Sequence, residues 1–258
     1  MKLKLSIGLI PLIISVNAFS AEGSGVYISA KTGISLFRSL DNHVYGSGNI
    51  ANALSYDVEK ENLKNSSTTN FSPNIAIGYK FANEFQQPVR VELAYQYFGS
   101  DKSSANIEPS AVGYWSPQQN DSFPLPAKTS FSKKTTVNTL MVNTYYDMPV
   151  NEYVSPYIMA GVGAAFLKNS ANMQSNVAGQ DIQSHSTSNK TNLAWALGTG
   201  VSWKVNENIS IETGYTYTDV GNIKNSLTGH NGINANQFNS NTKPQLHTLF
   251  AGASYYFK

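Results

Sequence analysis

Leu249-Phe250-Ala251-Gly252-Ala253-Ser254-Tyr255-Tyr256-Phe257-Lys258 closes the chain. From Leu249 every second residue (Leu249, Ala251, Ala253, Tyr255, Phe257) is apolar or aromatic, and Thr248, Phe250, Gly252, Ser254 and Tyr256 alternate with them. A period of two is that of a β-strand whose faces meet different surroundings. Working back along the chain, the same rhythm runs over residues 26–36, 71–81, 89–97, 139–146, 156–166, 193–204 and 209–217. None of these segments is an apolar run long enough for a membrane helix.

The charges decide what the two faces meet. No Asp, Glu, Lys or Arg falls on the apolar face of any of the eight segments. Lys31, Lys80, Arg90, Glu92, Lys204 and Glu212 all fall on the other face. A charge facing lipid near the midplane costs roughly 2–4 kcal/mol, so this segregation is that of strands in a bilayer. Strands satisfy their backbone there only if the sheet closes. A soluble sandwich also alternates, but its polar face looks to water and carries many more charges. The expected fold is all-β: an eight-stranded antiparallel up-and-down transmembrane barrel with long extracellular loops.

Composition agrees. Charged residues are 13% of the 258, aromatics 12% with 15 Tyr, and cysteine is absent. Disulfides, thiolate metal sites and a cysteine nucleophile are thereby excluded. A net charge of +2 leaves no nucleic-acid footprint. At the start, Met1-Lys2-Leu3-Lys4 is basic, Leu5 to Phe19 is mostly apolar, and Ala18-Phe19-Ser20 ends on small residues. This is the pattern of a secretory signal over residues 1–20, which leaves a barrel domain over 21–258.

Connections alternate in length. Phe81 to Val89, Asp147 to Val154 and Lys204 to Ile209 are short. Leu40 to Asn70, Gly99 to Lys134, Lys168 to Lys190 and Asp219 to Gln245 are long. Short turns are expected in the periplasm and long loops outside, which puts both mature ends in the periplasm. Tyr79, Phe81, Tyr146, Trp203 and Phe257 would form one aromatic girdle, and Tyr95, Tyr97, Phe166, Tyr215 and Tyr217 the other. The last two long connections, rich in Asn, Ser and Gln, read as solvated and mobile.

Eight strands enclose a space just wide enough for side chains. Gly161, Gly163, Gly198, Gly200, Gly214 and Gly252 lie on the inward face and leave room for longer groups. Lys31, Arg90, Glu92 and Glu212 are then expected to pair across the interior, because an unpaired buried charge is costly. The expectation is a plugged lumen; the alternative is a narrow water-filled pore lined by the same groups.

No catalytic, cofactor or metal site is read from the residues. His43, His185, His230 and His247 lack ligand spacing and a carboxylate cluster. A lipid A deacylase barrel carries a His-x-Ser pair near its C-terminus, whereas Thr248 and Leu249 follow His247 here. In the second long connection, Tyr114-Trp115-Ser116-Pro117 places aromatics beside proline, a candidate contact for Tyr114 and Trp115. The same residues could instead pack the loop onto the rim.

Three stretches carry a family resemblance. Gly78-Tyr79-Lys80-Phe81 leads into Val89-Arg90-Val91-Glu92-Leu93-Ala94-Tyr95. Leu140-Met141-Val142-Asn143-Thr144-Tyr145-Tyr146-Asp147 leads into Ser155-Pro156-Tyr157-Ile158-Met159-Ala160-Gly161-Val162-Gly163. Ala194-Trp195-Ala196-Leu197-Gly198-Thr199-Gly200-Val201 leads into Ile209-Ser210-Ile211-Glu212-Thr213-Gly214-Tyr215. The pattern resembles the opacity-type and rickettsial surface-antigen superfamily of eight-stranded barrels, similar to the OmpA transmembrane domain. The resemblance implies a Gram-negative outer-membrane surface antigen, often an adhesin. It brings no catalytic residues. The expected partners are outer-membrane lipid and lipopolysaccharide, the barrel-assembly machinery reading Tyr255 and Phe257, and a host receptor or matrix protein. A small porin or structural stability protein is the alternative, and a loop-based hydrolase a third. Lys258 after Phe257 departs from the family's usual aromatic ending.

Overall fold

The computed structural model describes residues 25–257 apart from 52–53, 63–66, 82–87, 108–110, 115–121, 126, 178 and 232–233. Residues 1–20, where a secretory signal is expected, Trp115 and Lys258 lie outside the described residues. Twelve strands follow in order: β1 (Val26–Ala51), β2 (Leu54–Asn62), β3 (Ser67–Lys80), β4 (Val89–Ile107), β5 (Ala111–Tyr114), β6 (Ser122–Leu125), β7 (Ala127–Asp147), β8 (Val154–Val177), β9 (Gln180–Lys204), β10 (Ile209–Asp219), β11 (Ile223–Asn231) and β12 (Asn234–Tyr256).

Eight of them, β1, β3, β4, β7, β8, β9, β10 and β12, pair antiparallel in that order. The ring closes where β12 pairs with β1, from Tyr27↔Tyr256 to Leu40↔Lys243 and beyond. Closure satisfies the ladder that an open edge would leave bare in hydrocarbon.

The two-residue parity holds on all eight barrel strands. Ile28, Ile34, Ile75, Leu93, Val142, Ile158, Leu197, Ile211 and Leu249 face outward and are exposed, while Tyr27, Lys31, Arg90, Glu92, Tyr145, Tyr157 and Glu212 are buried inside. Both expected aromatic sets lie on the outward face, with Tyr146 and Trp203 near the short turns and Tyr97, Phe166 and Tyr215 toward the long hairpins.

Two of the short turns are tied down locally. The Asn151 side chain accepts the backbone N–H of Tyr153 at 2.9 Å and of Val154 at 2.8 Å. Asn206 does the same for Asn208 at 2.9 Å and Ile209 at 2.8 Å. These are Asx turns, which fix a tight reversal without a helix.

At the other end the long connections are themselves mostly strand. β8 has 24 residues and β9 has 25, where about 9–11 suffice to cross a bilayer. Their ladder continues without a break to Val177↔Gln180, and β7 follows β8 up to Ala127↔Val177. β11 occupies the place above β10, bonded to β12 along its length and to β9 at Gly229 and His230. Between β10 and β11 the chain breaks at Val220-Gly221-Asn222, with Gly221 at φ +73°. There the Asn192 amide donates to the Val220 carbonyl at 2.9 Å and the Asn222 carbonyl at 3.1 Å. On β4 a register shift between Tyr97 and Ser100 contains Gly99 at φ +81°. A bulge there needs the left-handed region that glycine enters without steric cost.

Candidate functional site

Parity sends Lys31 from β1, Arg90 and Glu92 from β4 and Glu212 from β10 into one volume in the lower half of the barrel. The Lys31 ammonium lies 3.0 Å from Glu92 Oε2 and 3.1 Å from Glu212 Oε1, so one cation is shared by two carboxylates. Glu92 also accepts the Tyr27 hydroxyl at 2.9 Å and the Tyr145 hydroxyl at 2.7 Å. Arg90 Nη1 is 4.0 Å from Glu212 Oε2. Its nearer partner is Asp147, whose carboxylate accepts Arg90 Nε at 2.8 and 3.1 Å. The guanidinium also lies over Tyr145 and Tyr157, 4.6 and 5.2 Å from their ring centres. Two cations and three carboxylates thus share a site from which water is largely excluded, the case in which pairing must be close to complete.

The inward glycines make the room. A Cβ on Gly200 would stand 2.5 Å from the Tyr157 hydroxyl, and one on Gly252 would stand 2.7 Å from Lys31 Cγ. A Cβ on Gly78 would strike the Tyr27 ring. Each large inward side chain therefore occupies the volume a neighbouring strand leaves empty.

Free volume lies on both sides of this layer. Above it is a cavity of about 30 Å³ lined by Lys31, Asn74, Gln96, Asn143 and Tyr145, room for about one water. Below it, at the short-turn end, is a vestibule of about 160 Å³ lined by Lys80, Arg90, Asp147, Lys204 and Tyr256. Higher still the interior becomes apolar. Phe37, Phe98, Val137, Leu167, Val220, Ile223 and Leu246 are all buried in one cluster. Sequence reading missed this second storey and also missed Asp147. The signal for the first was present: Phe37, Phe98, Leu167 and Leu246 continue the inward parity of Ser35, Gln96, Ala165 and Thr248 beyond the expected strand ends.

Above the apolar cluster the interior is polar again. Thr135 donates to Asn169 at 2.6 Å, and the hydroxyls of Thr129 and Ser175 meet at 2.7 Å. Lys133, on β7 above Val137 of the apolar cluster, is buried and donates to the Thr242 hydroxyl of β12 at 2.6 Å. Burial pushes its ammonium down from 10.5 to about 8, against the opposing pull of Asp101.

The other sequence-predicted residues lie apart. Tyr114 is in β5, opposite Ser55 of β2 and Ser122 of β6, far from the ion-paired layer in the ladder. Tyr255 points outward at the short-turn end and meets the Phe257 ring edge-on at 5.3 Å. Outward His247 shares a 2.6 Å hydrogen bond with the Tyr215 hydroxyl, while Thr248 turns inward to Ser35. The His247-Thr248 pair therefore cannot act on one substrate atom. Among the described residues no group of three His, Asp or Glu could hold a metal.

The description of outer membrane protein β-barrel domains matches residues 9–257. The chain belongs to that family. It is a bacterial outer-membrane protein. Outer membrane protein PagN of Salmonella typhimurium is 28% identical over 257 residues, covering 100% of both chains. A Rickettsia bellii protein named "Putative adhesin" is 28% identical over 209 residues, 80% of this chain and 84% of that one. Among solved structures, Neisserial surface protein A is 20% identical, with 91% of this chain and 98% of that chain covered at a TM-score of 0.41.

Proposed function

We propose that this barrel is a surface adhesin that carries its long hairpins outside the cell and keeps its lumen closed. The observation that carries the reading is the height of the wall above the apolar belt. On β8, Phe166 is the last outward apolar residue, and Lys168, Asn172, Gln174 and Asn176 follow it on the same exposed face. A polar wall that stays hydrogen-bonded for ten more residues is a rigid platform, and rigid presentation lowers the entropy cost of binding. Relatives bearing adhesin in their names support the same reading. Both described chain ends, near Val26 and Phe257, then lie on the periplasmic side with the short turns.

The test is display on a non-adherent bacterium of the full barrel and of a version with β8–β9 and β10–β12 joined just above the belt. At equal surface levels, attachment to host cells or matrix proteins is expected for the first and not for the second. Attachment unchanged by trimming removes the hairpins from the function.

In this reading the ion-paired layer of Lys31, Arg90, Glu92 and Glu212, with the apolar cluster above it, serves as a plug. The refolded barrel in a planar bilayer is expected to give no steady conductance; a reproducible open level would establish the small-porin reading instead. Tyr255 and Phe257 would serve as the signal read by the assembly machinery. Phe257→Ser should lower outer-membrane levels severalfold while leaving transcript unchanged.

A further inference from the structure

One sector of the outer wall changes character in three steps along the same strands. The lowest step is apolar: Tyr97 of β4, Leu140 of β7 and Phe166 of β8 face outward and are exposed. The next is basic. Lys102 stands opposite Lys134 in the β4–β7 ladder, both on the exposed face. Lys168 of β8 stands opposite Thr136, one outward step along β7 from Lys134. Diagonal neighbours of this kind are about 7–8 Å apart. Among the described residues of β4, β7 and β8, no carboxylate shares that outer face: Glu92, Asp101 and Asp147 are buried inside. Like charges set directly opposite one another destabilise a ladder unless an anion joins them.

The third step is neutral and polar. Immediately above the lysines an exterior groove of about 580 Å³ has the polar side chains of Ser104, Ser130, Ser132, Asn172, Gln174 and His185 along its walls and the apolar Phe131 and Met173 at its floor, a surface on which a sugar's C–H face can rest. Hydroxyls and amides without charge are the groups that recognise sugar hydroxyls. From Phe166 to Gln174 the three steps cover nine residues of β8, about 26 Å of strand.

We infer that this sector binds a phosphorylated glycolipid of the outer leaflet, lipopolysaccharide, with acyl chains on the belt, phosphates on Lys102, Lys134 and Lys168, and core sugars in the groove above. The order apolar, cationic, neutral-polar is the order of that molecule from membrane to solvent. A glycerophospholipid has nothing to fill the third step, and a free anion nothing to fill the first. The inference rests on the reading that the long hairpins face outward from the cell.

The test uses the full mature chain refolded in detergent, its folding checked by heat-modifiable migration. Binding is measured for bisphosphorylated lipid A, dephosphorylated lipid A, lipopolysaccharide with core sugars, and phosphatidylglycerol. The Lys102→Gln/Lys134→Gln/Lys168→Gln variant is expected to bind lipid A at least tenfold more weakly, and the corresponding triple Arg variant to retain binding. Core sugars should tighten binding at least threefold, and Ser132→Leu/Gln174→Leu should abolish that gain alone. Lipid A binding unchanged by the triple Gln variant would overturn the site. Phosphatidylglycerol binding as tight as lipid A would overturn the glycolipid assignment. An epitope inserted at Gly179 and probed on intact cells judges the orientation separately: a shielded epitope defeats outward display, while the detergent measurement still judges the patch.

Discussion

Lys31 is the residue on which the lower interior turns, because its ammonium is the close partner of both Glu92 and Glu212. Lys31→Met removes the cation and leaves two buried carboxylates with only Arg90 between them. Breaking a buried pair from one side costs about 3–5 kcal/mol, so the urea midpoint of the refolded barrel should fall by a large fraction of its value. Adding Glu92→Gln to Lys31→Met should recover part of that loss; no recovery would show that the charges contribute little. A second residue-scale outcome concerns space. Gly200→Val thrusts a branched side chain at the Tyr157 hydroxyl, and overpacking of this kind costs about 1–3 kcal/mol. At this scale the sequence was largely legible, since strict parity says which charges enter the barrel. It did not tell which charges meet. Asp147 ends β7 and reads as the first residue of a turn, yet that end position brings its carboxylate under Arg90.

The elements were legible only where their two faces differ. Over 160–166 one face carries Ala160, Val162, Ala164 and Phe166 and the other the small Gly161, Gly163 and Ala165, and the period of two is plain. Over Lys128-Thr129-Ser130-Phe131-Ser132-Lys133-Lys134-Thr135 both faces are mostly polar, so a continuing strand reads as solvated loop. What holds these upper strands is the ladder itself together with inward packing, and the two can be tested separately. Phe98→Ala opens a hole in the apolar storey, and about 3–5 kcal/mol of stability should be lost. Lys133 supplies a pH test. In the unfolded chain its ammonium titrates near the ordinary 10.5, and in the barrel near 8. Below pH 8 both states are charged and the fold bears the whole cost of burial, about 3 kcal/mol. Between pH 8 and 10.5 the unfolded chain holds more protons, so stability contributed at this site rises with pH. Lys133→Met should stabilise the long-hairpin end at pH 7 and flatten that rise. Equal slopes in both proteins would place the lysine in contact with more water than its burial implies.

The whole molecule divides by height. The short-turn half holds its shape through paired charges, the middle through apolar packing, and the upper wall through hydroxyl and amide contacts such as Thr135–Asn169. Trimming the upper wall at Lys168 and Lys190 removes none of the ion-paired layer. The shortened barrel should therefore refold with the same heat-modifiable shift on a gel, and failure would show that the hairpins guide closure.

The seam between β12 and β1 has a further consequence. The Phe257 amide donates to the Val26 carbonyl at 3.0 Å, so the described ends of the chain touch at the rim of the short turns. Bonded to its neighbours all the way round, the cylinder has no first strand in any mechanical sense. A circularly permuted chain, with a short linker joining these ends and new termini opened at Gly179, would trace the same ring from a different starting point. The order in which strands are threaded during assembly would change, while the finished wall would stay the same.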